Sequence, residues 1–224
     1  MKPNRIFFSS ASVGIVCFAL LFGGTVNAVH HEHELVNDLA VCIGYAGQTP
    51  RDIDSKAGTN TVKFDLASPS SKMNLCDIHL HANAEHKAQA FNIYAGDGKD
   101  GYGSGYQCGM SKQLTKAERK TPEGEICKGL RPGDTIEVHW VHTSCDVEPG
   151  PGLGSCLSDA CANPDLRVET QVFTLVNDSN ALSFNDLSYD GNLANRFHQA
   201  KASPNNTGTP IQFMGSTTDH SYTE

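Results

Sequence analysis

Apolar and polar residues alternate along two short stretches, and in both the polar phase carries histidine. The first runs Leu75-Cys76-Asp77-Ile78-His79-Leu80-His81 and continues to Ala84-Glu85-His86. The second is Thr135-Ile136-Glu137-Val138-His139-Trp140-Val141-His142. Alternation with β-branched residues predicts a strand at each. Further strands are predicted at 39–45, at 62–66 (half-buried) and at 166–176, the last being the longest apolar-rich candidate. Turn chemistry separates them: Pro69, then Arg131-Pro132-Gly133-Asp134 with Pro and Gly placed as in a type II turn, then Pro149-Gly150-Pro151-Gly152. Thr115-Lys116-Ala117-Glu118 has the pattern of a capping box and predicts a short helix. A second short helix is expected over 155–162, ended at Asn163-Pro164. The chain has no internal repeat and no long amphipathic helix. It reads as mainly β, a single domain built on an antiparallel sheet with a few short helices.

The first 28 residues change the picture of where this domain works. Lys2 and Arg5 precede a mostly apolar run from Ile6 to Phe22, and Val26-Asn27-Ala28 resembles a small-residue cleavage site. That is the pattern of a secretory signal peptide, so the domain is expected to span 29–224 and to be periplasmic or secreted. Losing Lys2 and Arg5 takes the formal net charge from −8 to −10. An acidic chain without a Lys/Arg cluster is a poor partner for nucleic acid. No other stretch is long and apolar enough to span a bilayer, so no membrane contact is expected after cleavage.

Eight cysteines are present, and Cys17 falls in the leader. In an exported protein the remaining seven read as disulfides, three bridges and one thiol left over. The expected bridge is Cys108–Cys127 around the capping-box helix, with Cys42–Cys76 and Cys145–Cys156 as further expectations.

Strand geometry gives the histidines their chemistry. Side chains two apart share a face, so His79 and His81 point the same way, as do Glu137 and His139. His142 takes the other face. If the strands pair, His79, His81 and His139 converge. Three neutral imidazoles with an open position are the ligand set of a catalytic zinc site. A lone strand histidine is ordinarily a surface or satisfied core residue; the third histidine, with Glu137 placed to accept its outer N–H, favours the metal. His30-His31-Glu32-His33 reads as a mobile N-terminus or a second metal-capturing tract. Gly96-Asp97-Gly98-Lys99-Asp100-Gly101 spells a dinucleotide motif, but no helix follows it, so it reads as a glycine-rich surface loop.

Four segments together resemble the δ-class carbonic anhydrases. They are Asp77-Ile78-His79-Leu80-His81 with Ala84-Glu85-His86-Lys87, then Asp134 to His139, then Pro149 to Ser158, then Arg167 to Phe173. The similarity covers about Cys42 to Thr218. It implies zinc-dependent, reversible hydration of CO₂ to bicarbonate through zinc-bound hydroxide. The α-class enzymes are similar more distantly, with His-x-His on one strand, a later Ser-Glu-His and then Glu-Leu-His-Leu-Val-His-Trp. That likeness makes His79, His81 and His139 the zinc ligands and Glu137 the acid behind the third. It gives Glu85 the task of orienting the hydroxide through an intermediary hydroxyl, for which Thr143, Ser144 and Thr170 are the candidates. His86 or the 30–33 tract would relay the proton. The δ family continues past Gly215-Ser216-Thr217-Thr218 to a further Cys and strand, which implies a truncated C-terminal end here and would account for the odd cysteine.

Two other readings stand beside this one. His79-x-His81-x₃-Glu85 has the ligand spacing of a cupin, which would place Glu85 with His79, His81 and His139 around iron or manganese. The other is a non-enzymatic extracytoplasmic metal-binding protein.

Overall fold

The computed structural model describes residues 65–85, 87, 90–96, 104–123 and 129–202, together with the backbone of 5–7. The expected strand at 39–45, the 30–33 tract, His86 and residues 97–100 lie outside the described residues; of the half-buried strand expected at 62–66 only Asp65 and Leu66 are described, and both are exposed and outside any strand. The described residues form nine strands: β1 (Arg5–Phe7), β2 (Asn74–Ala82), β3 (Ile93–Tyr94), β4 (Tyr106–Gln107), β5 (Thr135–Thr143), β6 (Leu166–Val176), β7 (Leu182–Ser183), β8 (Leu193–Ala194) and β9 (Phe197–His198). The fold is mainly β, and its frame is the antiparallel ladder β2-β5-β6. β1, which falls within the stretch expected to be removed as a leader, lies parallel to the end of β6 and to β7. β3–β4 and β8–β9 are separate two-stranded pairs.

β5 is the middle strand of that ladder, and all nine of its residues are buried. It has a neighbour on each side, and its polar residues face inward as well as its apolar ones. Residues of even number on β5 pack into the main core: Ile136, Val138 and Trp140 meet Leu75 and Ile78 of β2 and Phe173 and Leu175 of β6. Phe91 and Met110 join that core from the intervening loops. A smaller cluster of Cys76, Val141 and Cys156, with Val147, Leu166 and Val168 against it, lies where β5 leaves the sheet.

The turns behave as their residues require. Pro132 and Gly133 make the turn into β5, with Gly133 at φ +105° and the Asp134 N–H donating to the Arg131 carbonyl at 3.1 Å. The capping box closes from both ends, Thr115 N donating to Glu118 Oε2 at 2.7 Å and Glu118 N to Thr115 Oγ1 at 3.3 Å, but it starts only a turn over 116–119 and not the expected helix. Helical segments among the described residues are four short 3₁₀ turns. The helix expected over 155–162 is instead a 3₁₀ turn at Leu153–Cys156. Ser158 and Cys161 then close a tight reversal by exchanging backbone bonds of 3.2 and 2.9 Å.

Two bridges differ from the expected pairing. Cys76 bonds Cys156 and Cys145 bonds Cys161, so neither Cys42–Cys76 nor Cys145–Cys156 forms. The reason is local: the 3₁₀ turn at Leu153–Cys156 folds back over β2, which sets Cys156 on Cys76 and leaves Cys145 to the 158–161 reversal. Cys108 is also disulfide-bonded, to a partner outside the described residues.

Candidate metal centre

Strand register builds the site. His79 lies opposite His139, and His81 lies opposite Glu137. Asp77, His79 and His81 of β2 therefore share one face with Glu137, His139 and Val141 of β5. Their neighbours on β6 are Val168 beside Val141, Thr170 beside His139 and Val172 beside Glu137. The rings of His79, His81 and His139 form a near-equilateral triangle, with centroids 5.2, 4.9 and 4.9 Å apart. One nitrogen of each lies within 4.8 Å of the others.

The outer nitrogen of every ring meets a carboxylate. His79 Nδ1 is 2.6 Å from Asp77 Oδ2. His81 Nδ1 is 3.1 Å from Glu85 Oε1. His139 Nε2 is 3.0 Å from Glu137 Oε1. An ionised carboxylate only accepts, so it fixes the proton on the nitrogen it touches and turns the other lone pair inward. Nε2 of His79, Nε2 of His81 and Nδ1 of His139 are then the inward atoms.

Two of them, His79 Nε2 and His139 Nδ1, approach to 3.1 Å. Bare acceptors repel at that distance, and a cation between them removes the repulsion. A tetrahedral zinc ion with Zn–N near 2.0–2.1 Å holds its ligands about 3.3 Å apart. The residues fit such an ion in number, type and spacing.

Charge and burial agree with ligands that stay neutral. Burial pushes His139 down to about 4, with Glu85 working against it, His79 adding to it and Asp77 opposing it. Burial likewise pushes His81 down to about 4, against the pull of Glu85 and with the help of His139 and His79. Both rings keep free lone pairs at neutral pH, as metal binding requires. Burial pushes Glu137 up to about 8, while the Glu85 backbone bond and His79 pull it down. At that value Glu137 is largely protonated at neutral pH, and it becomes the ionised acceptor of the His139 N–H when a cation in the triangle lowers it.

Two backbone details bring Glu85 to this cluster. Asn83 adopts φ +67°, a left-handed conformation that Asn tolerates, and the chain turns sharply after β2. Glu85 N then donates to Glu137 Oε2 at 2.7 Å. The turn is held by Ala84 and Tyr106, which exchange two 2.8 Å backbone bonds. Gly105, at φ +105°, makes this possible, because a Cβ there would fall on the Ala84 carbonyl. The end of the glycine-rich run, expected at the surface, is thus buried against the site.

Glu85 stands on the outer side of the rings. Its second oxygen is 3.8 Å from His139 Nε2, the same nitrogen that Glu137 holds. Glu85, Glu137 and His139 make a second group with metal-ligand potential, but that nitrogen already serves as donor to Glu137. His142 projects from the opposite face, opposite Arg167, as the two-residue period requires. Of the three hydroxyl candidates, Thr143 donates to the Cys156 carbonyl and accepts from Cys145 N, and Ser144 accepts from Asp165 N. Thr170 is the one set directly beside His139.

Sequence reasoning overlooked Asp77. Its signal was present: Asp77-x-His79 on β2 repeats the spacing of Glu137-x-His139 on β5.

A family model described as delta carbonic anhydrase matches residues 70–224, more than two thirds of the chain. Neither the curated proteins nor the solved structures contain a match to it.

Proposed function

The chain belongs to the delta carbonic anhydrase family, and from that premise we propose that it is a zinc-dependent carbonic anhydrase, interconverting CO₂ with bicarbonate and a proton. The observation that carries this reading is the triangle of imidazoles whose outer nitrogens all rest on carboxylates. His79 and His81 would hold zinc through Nε2, and His139 through Nδ1. When bound, zinc supplies a Lewis-acid centre that makes water nucleophilic near neutral pH.

The chain's own groups do the rest. Glu137, fully buried and tied to the Glu85 N–H, fixes the His139 ring. Glu85 keeps His81 turned inward and joins the two strands at this end. Thr170 is the hydroxyl we assign to orienting the reacting oxygen, from its place beside His139. Val141, Val168 and Val172 are the apolar residues on the strand face that carries the histidines. His86, next in the chain to Glu85, is the group we assign to carrying the proton outward.

We place the protein in the periplasm or outside the cell. Its disulfides suit an oxidising compartment. No helix among the described residues is long and apolar enough to cross a membrane.

The test is metal analysis with stopped-flow CO₂ hydration on the mature protein and on His139→Ala. One zinc per chain with rapid hydration is expected for the former, and loss of both for the latter. A protein that holds zinc through these residues and hydrates no CO₂ would overturn the reading.

A further inference from the structure

Asp77 does more than touch His79. Its side chain is buried, and its two oxygens face two different partners. Oδ2 meets His79 Nδ1 at 2.6 Å, and Oδ1 accepts the backbone N–H of Gly152 at 3.0 Å. Gly152 belongs to the Pro149–Cys156 segment, which leaves the sheet after β5 and returns over β2. That segment is fastened to β2 twice more, by Gly150 N donating to the Cys76 carbonyl at 3.0 Å and by the Cys76–Cys156 bridge. Cys76 is the residue just before Asp77.

We propose that Asp77 is a positioning residue through which the Pro149–Cys156 segment sets the angle of the His79 ring, with the Cys76–Cys156 bridge holding that segment in place. The inference rests on His79 being a metal ligand. A carboxylate with one acceptor oxygen on a backbone N–H is restrained from rotating, so its other oxygen favours one pitch of the imidazole. Without the Gly152 bond, Asp77 could swing and His79 would lose its inward aim. Ligand-orienting acids of this kind typically change metal affinity 10–100-fold when removed.

The experiment compares the full-length mature protein with Asp77→Ala, Asp77→Asn and the pair Cys76→Ser/Cys156→Ser. Zinc affinity is read by competition with a chromophoric chelator. The His79 tautomer is read separately, in chelator-treated protein, by ¹⁵N–¹H correlation of the imidazoles. Asp77→Ala is expected to weaken zinc at least tenfold and to release the Nδ1–H tautomer, with little change in melting temperature. Asp77→Asn, which keeps one acceptor for two donors, should fall between. If the bridge acts through Asp77, removing it in the Asp77→Ala background should cost no further zinc affinity. Should the bridge-free chain fail to fold, the two Asp77 variants decide the matter. Wild-type affinity and tautomer in Asp77→Ala would overturn the inference. Zinc bound equally by wild type and His79→Ala would instead overturn the metal-centre reading, and the tautomer would still report on Asp77.

Discussion

Titration of His142 tests the strand register on which the site depends. If β5 is aligned as described, His142 is buried behind the sheet at 4% exposure, away from the triangle, with no hydrogen-bond partner for Nδ1 among the described residues. Burial pushes its pKa from 6.5 down to about 4; Glu169 opposes the shift, Arg167 reinforces it and the Trp140 backbone opposes it. Glu169 itself is held below the usual carboxylate range: burial works to raise it, but the Arg167 hydrogen bond and the charges of His142 and Arg167 outweigh burial. Above about pH 6.5, His142 is neutral in folded and unfolded chains alike and its contribution to stability is constant. Between 6.5 and 4 the unfolded chain takes up a proton that the folded chain refuses, so stability falls as pH falls. A difference of about 2.5 pH units corresponds to about 3 kcal/mol when complete, and to about 2 kcal/mol at pH 5. The assay is urea unfolding of wild type and His142→Leu at pH 7 and pH 5, with chelator present to remove metal linkage. His81 and His139 titrate in both proteins and cancel. The variant should lose about 2 kcal/mol less than wild type between the two pH values, and it should keep zinc when the chelator is removed. Equal losses would refute the burial of a neutral His142. Loss of zinc in His142→Leu would show that the register of β5 is displaced by one residue.

Glu85→Gln leaves the outer nitrogen of His81 on a weaker acceptor and should weaken zinc affinity about tenfold, read by chelator competition beside CO₂ hydration; wild-type affinity would refute the hold of Glu85 on His81. Gly105→Ala should destabilise the fold by about 2 kcal/mol or more, because a side chain meets both a positive φ and the Ala84 carbonyl; urea unfolding at the wild-type midpoint is sufficient to see it. Intact-mass measurement of the exported protein should give a chain beginning at Val29, and a mature chain that retains residues 5–7 would refute the leader.

The metal triangle was readable because it obeys one rule. A period of two places residues i and i+2 on the same face, and His79, His81, Glu137 and His139 all follow it. Asp77 follows it as well, one period before His79, as Glu137 stands one period before His139. Leu166–Val176 was readable for a different reason: eleven residues rich in β-branched and apolar side chains have no comparably stable alternative conformation. Disulfide pairing was not readable, because it depends on which loop returns over which strand. The segment after β5 contains Pro149, Gly150, Pro151 and Gly152, which announce a reversal without giving its direction. The approach of Glu85 was hidden for a related reason, since it depends on the left-handed turn at Asn83 and the bare backbone of Gly105.

The irregularity at Cys76 shows how much one residue of register decides. Strict alternation would send Cys76 to the face opposite Asp77 and His79, into the main core. The pairing instead slips between Leu75, which faces His142, and Asp77, which faces Val141. Such a bulge adds one residue to β2 and bends it. Cys76 is thereby packed with Val141 and Val168, which belong to the same face as His139 and Thr170. There it can meet Cys156, and the bridge brings Gly152 within reach of Asp77. Beyond the bulge the register resumes with His79 opposite His139. The same slip therefore serves two ends: it allows the covalent fastening of the Pro149–Cys156 segment, and it leaves the downstream histidines in phase with Glu137 and His139. Shortening β2 by one residue before Asp77 would restore regular pairing at its start while removing that fastening. A loss of zinc affinity in such a deletion, with the three histidines intact, follows from the bulge and cannot be deduced from the ligand spacing alone.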